Sequence, residues 1–109
     1  MNATVTALLS LDELRATVRP VCESHAVLRL DLFGSRAQGT AHVDSDVDLL
    51  VEFSPESNPG LFEMGALQDA LEQRLGCRVD LLSRRAVEKS RNVFRRRAIL
   101  AGPVVLYAR

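Results

Sequence analysis

Apolar positions along the chain alternate between two spacings, one helical and one strand-like. Leu11, Leu14, Val18 and Val21 recur at intervals of three and four, which lays their side chains on one helix face. Ser10 and Glu13 form a capping box at the start of this run, with Leu9 and Leu14 placed as a hydrophobic staple. The pattern predicts a helix over 11–24, with a kink or an early end near Arg19 because Pro20 lacks a backbone N–H. VLRLDLF at 27–33 alternates apolar and polar residues and predicts a strand ending at Gly34. VDLLVEF at 47–53 predicts a second strand, more apolar and therefore more central. Leu61, Met64, Leu67, Leu71 and Leu75 share a helical stripe, and Gly76 suits the residue just past that helix. RVDLL at 78–82 predicts a third strand and residues 84–101 a last helix, stopped by Gly102-Pro103 before a short strand in VVLYA. The order α, β, β, α, β, α, β predicts an α/β (α+β) fold: a mixed sheet of about four strands with flanking helices mainly on one face.

The 109 residues are 47% hydrophobic and 26% charged, the composition of an ordinary globular domain. A single domain over 1–109 is expected, with no room for a second catalytic domain. No run of eighteen apolar residues occurs, and MNATVTALLSLDELR has neither a basic leader nor a small-residue cleavage site, so the expected location is the cytoplasm. Cys22 and Cys77 lack C-x-x-C spacing and read as reduced, buried filler. The formal net charge is zero, which removes bulk affinity for nucleic acid, yet the charge is unevenly spread. Residues 1–73 hold four arginines against twelve Asp and Glu, whereas residues 74–109 hold nine arginines and Lys89 against Asp80 and Glu88. That asymmetry reads either as a solvated basic face or as a docking surface for something anionic.

Candidate chemistry concentrates in GSRAQGTAHVDSDVDLLVEF, residues 34–53. Gly34 and Gly39 have Walker-loop spacing, but Thr40 stands where the lysine is required. Asp44, Asp46 and Asp48 imitate the opening of an EF-hand loop, but Leu49 replaces its glycine and Pro55 its closing glutamate. What remains is Gly34-Ser35, ten residues, then Asp46-x-Asp48. Residues two apart on a strand share a face, which sets the two carboxylates about 7 Å apart along the chain. Side by side they repel, and a divalent cation such as magnesium relieves the cost while leaving positions open for phosphate oxygens. Asp80 is the one acid in the otherwise apolar stretch VDLL and could reach the same ions from a neighbouring strand, where it would activate an attacking hydroxyl. Gly34 lets backbone approach an anion, Ser35 adds a hydroxyl donor, and Arg36 either meets a phosphate oxygen or faces solvent. His25 and His42 are isolated, and Tyr107 reads as a packed strand residue.

The Gly-Ser, ten-residue, Asp-x-Asp pattern, with GSRAQG, SDVDLLV and the later VDLL, resembles the minimal nucleotidyltransferases of the DNA polymerase β-like superfamily. The resemblance runs from the first predicted strand through the third. It implies a mixed sheet with flanking helices, two magnesium ions, and transfer of a nucleoside monophosphate from a triphosphate with release of pyrophosphate. It makes Asp46, Asp48 and Asp80 the metal-binding catalytic carboxylates and Gly34 and Ser35 the triphosphate contacts. One departure is Gln38, where family members often carry arginine.

Free-standing minimal members of this group resemble the antitoxin half of two-gene modules whose other half is a HEPN ribonuclease. The resemblance therefore implies an antitoxin that moves AMP from ATP to a tyrosine of the toxin. Two alternatives stand beside it: a non-catalytic binding antitoxin or regulatory subunit, and a nucleotidyltransferase acting on a small molecule or an RNA end. Retention of three converging acids argues against the first, because neutralising one would relieve repulsion. Neither a membrane nor a nucleic acid is expected as a direct partner. Arg91 and Arg95, at i, i+4 spacing on the predicted last helix, with Arg84 and Arg85 upstream, make a basic stripe without matching acids that is expected to dock a protein acceptor.

Overall fold

The structure, a computed structural model, describes residues 10–34, 37, 46–55 and 60–109. Leu9, Ser35, Arg36, Gln38 and His42 lie outside the described residues. Helix α1 spans Leu11–Ser24, strand β1 Val27–Phe33, β2 Val47–Phe53, α2 Leu61–Leu75, β3 Val79–Ser83, α3 Arg84–Glu88, α4 Val93–Leu100 and β4 Val104–Ala108. The four strands form one mixed sheet in the order β3-β2-β1-β4. β1 is antiparallel to both β2 and β4, and β2 is parallel to β3. The apolar strand β2 is internal, as its composition requires.

Local chemistry accounts for most element boundaries. The Ser10 hydroxyl accepts from Glu13 N at 3.1 Å and the Glu13 carboxylate accepts from Ser10 N at 3.0 Å, closing the capping box. These bonds also hold the Glu13 carboxyl below its ordinary range. Pro20 does not end α1, which continues to Ser24; the Ser24 hydroxyl donates back to the Pro20 carbonyl and His25 Nδ1 meets the Val21 carbonyl at 2.9 Å. The pairing of His25 with a backbone carbonyl gives that residue a helix-closing part. α2 ends at Gly76, whose left-handed backbone donates N–H to the Glu72 carbonyl.

Successive residues of β2 point to opposite faces and divide the apolar residues into two layers. Val47, Leu49 and Val51, with Leu30 and Leu32 of β1, pack against Leu14, Val18, Val21 and Cys22 of α1 and Leu67, Leu71 and Leu75 of α2. Tyr107 and the half-buried Cys77 pack against this main core. Leu50 faces the other way and is covered by Val87 of α3 and Ile99 of α4, with Phe33 and Leu82 beside them. The helices therefore flank both faces instead of mainly one, because Leu50, Phe33 and Leu82 make the second face apolar enough to need a cover.

The predicted helix over 84–101 is divided into α3 and α4. Ser90 and Asn92 break it: the Ser90 hydroxyl accepts from Asn92 N at 3.2 Å, and Asn92 Oδ1 accepts from Arg95 N at 3.0 Å as an N-cap. Short polar side chains that bond to nearby backbone compete with a continuing helix. Arg91 consequently precedes α4, and its expected sharing of a helix face with Arg95 does not occur. No helix among the described residues is long and apolar enough to cross a membrane.

Candidate active site

The second face of the sheet carries the acids singled out by the sequence. In the parallel β2–β3 pair Asp48 stands in register with Asp80, and in the antiparallel β1–β2 pair Phe33 stands opposite Asp48. Adjacent strands lie about 4.8 Å apart, so the Asp48 and Asp80 backbones are direct neighbours. Asp80 is exposed at the edge strand and Asp48 half-buried on the internal one. Asp46 sits immediately ahead of β2, where Val47 N donates to the Arg78 carbonyl at 3.0 Å. Its carboxylate lies 3.9 Å from Arg78 Nε in an exposed ion pair. Among the described residues no three His, Cys, Asp or Glu side chains converge closely enough to hold a metal ion. The structure thus brings Asp48 and Asp80 together and engages Asp46 with Arg78.

Gly34 is fixed by two independent constraints. Its φ of +75° lies in the left-handed region that L side chains avoid. A Cβ at that position would also overlap Asp48 Oδ2 and lie 3.2 Å from its Cγ. The turn that ends β1 therefore presses its backbone against the Asp48 carboxylate, and only glycine permits the approach. Ala37 packs against the main core.

A charged group that the sequence pattern does not single out lies on the same face. Asp31, one alternation before Phe33 on β1, is fully buried. It accepts from Arg29 Nε at 2.9 Å and from Arg84 Nη2, and the bond to Asp31 raises the already basic Arg29 guanidinium. Arg84 is also 4.0 Å from Glu52 and 3.9 Å from Glu88, and its side chain is only 16% exposed. This corrects the expected basic stripe: Arg84 has acidic partners and belongs to the interior. It spans β2 to join the end of β3 to β1, which fixes the strands carrying Asp80 and the Gly34 turn relative to one another. The signal available was Asp31 itself, an acid at the centre of an apolar strand, which has to be paired to be buried.

Comparison with known proteins agrees with this geometry. The profile of the nucleotidyltransferase domain family matches residues 14–102. A protein adenylyltransferase of Thermococcus cleftensis, MntA, is 36% identical over 86 residues, covering 75% of this chain and 85% of that protein. A solved structure assigned as a minimal nucleotidyltransferase aligns with a TM-score of 0.68 at 36% identity, covering 90% of this chain and 97% of the other. A chain of a toxin–antitoxin complex with AMP-PNP aligns with a TM-score of 0.67 at 21% identity, over 87% of this chain and 73% of that one. A chain of the complex between tri-AMPylated Shewanella oneidensis HEPN toxin and MNT antitoxin aligns with a TM-score of 0.62 at 15% identity, over 92% and 74%. These last two likenesses are of fold. With the family profile spanning most of its length and a register-paired Asp48 and Asp80 beside a glycine turn, this chain belongs to the nucleotidyltransferase domain family, as a relative of the MntA protein adenylyltransferases.

Proposed function

We propose that this chain transfers AMP from ATP to a tyrosine hydroxyl of a cognate HEPN ribonuclease toxin, releases pyrophosphate, and acts in the cytoplasm as the antitoxin of that pair. The observation that carries the reading is the register pairing of Asp48 with Asp80, beside a turn whose glycine brings its backbone up against the Asp48 carboxylate. Relatives support the nucleotide and the partner: one is a protein adenylyltransferase, one structural neighbour contains AMP-PNP, and another pairs an MNT antitoxin with an AMP-bearing HEPN toxin.

In this reading Gly34 and Ser35 receive the triphosphate on backbone N–H groups and a hydroxyl, and Arg36 meets a phosphate oxygen. The donor set suits magnesium, since Asp46, Asp48 and Asp80 supply hard carboxylate oxygens and a Cβ at Gly34 would fill the space beside one of them. These three residues are the ones that would hold the ions. When bound, magnesium neutralises the triphosphate and the charge that develops on the departing pyrophosphate. In this reading Asp80, which is exposed on the edge strand, takes the proton of the acceptor hydroxyl as the hydroxyl oxygen bonds to the α-phosphorus and the bond from that phosphorus to the bridging oxygen of the departing pyrophosphate breaks. Arg78 holds the Asp46 carboxylate in check by an exposed pair, which is inexpensive to give up when ions bind.

The test is transfer itself. A purified HEPN toxin incubated with this chain, ATP and magnesium should gain AMP on tyrosine, read by intact mass and peptide mapping. AMP appearing instead on an RNA end or a small molecule, with the toxin unmodified, would replace the proposal with the alternative acceptor class.

A further inference from the structure

A cavity of about 160 Å³ opens between β3, α3 and α4, floored by Leu82, Val87 and Ile99 and rimmed by Arg95 and Arg96. Its volume is close to that of a cavity able to take up benzene, so it admits one aromatic or large aliphatic side chain. The polar groups around it are already engaged: the Ser83 hydroxyl accepts from Ala86 N, and Arg96 Nη1 donates to the Ser90 carbonyl at 3.0 Å. What they leave is an apolar floor beside the exposed charge of Arg95.

Its position gives the cavity meaning. Leu82 lies two residues beyond Asp80 on β3, on the same face and about 7 Å along the strand. A side chain seated on Leu82 therefore belongs to a segment that passes beside the third carboxylate. The surroundings are strongly one-signed: Lys89, Arg91, Arg95 and Arg97 are exposed, and among the described residues none of them has a carboxylate within ion-pairing distance. Phe94, on the same helix, is 85% exposed. Arginines rim the apolar pocket and α4, which supplies them, also presents an exposed aromatic, a combination enriched at protein-binding hot spots.

We infer that this cavity is the docking point for the acceptor protein, which inserts one aromatic or large aliphatic side chain flanked by carboxylates. The inference rests on the proposed transfer to a protein and names the surface that places the acceptor. An acidic, apolar segment satisfies both the floor and the rim. Phosphate backbones and lipid headgroups would meet the arginines but leave the floor of Leu82, Val87 and Ile99 without a partner. In this inference the basic surface acts through α4 and the loop before it, with Arg84 excluded because it is buried against Asp31.

The probe is a synthetic acidic hexapeptide carrying one tyrosine, titrated into the isotopically labelled chain and followed by amide chemical shifts. Shift changes should centre on Leu82, Val87, Arg95 and Ile99, and replacing the tyrosine by alanine should weaken binding about tenfold or more. Ala86→Trp, which fills the cavity from an exposed position, should weaken the peptide about tenfold, and Arg95→Glu should weaken it severalfold, most strongly at low salt. Magnesium-ATP affinity, measured alongside, should stay at the parental value in both variants. No peptide binding at millimolar concentration, shifts centred elsewhere, or equal affinity for the alanine peptide would overturn the inference. So would tighter binding at these amides by a single-stranded RNA or by phosphatidylserine vesicles. A parent chain that docks the peptide yet binds no ATP would contradict the proposed reaction and leave the docking surface standing.

Discussion

Gly34→Ala probes the junction between the turn and the Asp48 carboxylate. Holding an L side chain at the left-handed φ of +75° costs about 1–2 kcal/mol. The added methyl also overlaps Asp48 Oδ2, so the carboxylate has to leave its position, and an off-rotamer side chain adds about 0.5–1.5 kcal/mol. The two parts separate experimentally. Gly102 has a φ of +92° with nothing within 4 Å of an added Cβ, so Gly102→Ala reports the backbone part alone. In urea denaturation Gly34→Ala should cost about 1.5–3.5 kcal/mol and Gly102→Ala about 1–2 kcal/mol. Repeating Gly34→Ala in an Asp48→Ala background removes the overlapping oxygen, and the cost should fall to the Gly102 value, a coupling of about 0.5–1.5 kcal/mol. Magnesium-ATP affinity should drop in Gly34→Ala and hold in Gly102→Ala. The reasoning is refuted if the two glycine variants cost the same in both backgrounds and bind ATP equally well.

Other outcomes follow from single features of the structure. Asp31→Ala takes from the largely buried Arg84 its close partner, leaving only Glu52 and Glu88 at the edge of ion-pairing distance, and should cost about 3 kcal/mol in denaturant unfolding, whereas the double variant Asp31→Leu, Arg84→Met should recover much of it; equal losses would contradict an unpaired buried charge as the cause. Asp80→Asn should retain ATP binding by calorimetry and lose transfer, and a parental transfer rate in this variant would make Asp80 structural. Burial, assisted by the neighbouring Glu23, pushes the Cys22 thiol from 9.0 up to about 12. The unfolded chain then loses that proton before the folded one does, so stability falls as pH rises between those values. The fall should be shallower in Cys22→Ala, and identical slopes would contradict a proton held in the core.

The elements with strong period or paired signals were legible from the sequence. The capping box of Ser10 and Glu13, the alternation in VLRLDLF and the leucine stripe closing at Gly76 each combine a local rule with a burial pattern, and the structure follows them. The segment 84–101 predicts one continuous helix because its arginines are good helix formers, while the interruption depends on Ser90 and Asn92 bonding to nearby backbone. The register of β2 against β3, which brings Asp48 opposite Asp80, is a tertiary fact that spacing along the chain suggests but does not specify. The partners of Asp31 were beyond reach for the same reason: Arg84 is 53 positions away, and nothing local distinguishes it from the exposed arginines that follow. Asp46 shows the reverse case, where same-face spacing with Asp48 was plain but the exposed pair with Arg78 across the start of β2 was not.

The central claim is that the acids around β2 and β3 serve a triphosphate together with magnesium, and calorimetry of ATP binding tests it most directly. The parent chain should bind ATP far more tightly in millimolar magnesium than in chelator, and Asp48→Asn should lose this dependence while unfolding in urea like the parent. An ATP affinity that is the same with magnesium and with chelator, or an Asp48→Asn variant that keeps the full magnesium dependence, would contradict it.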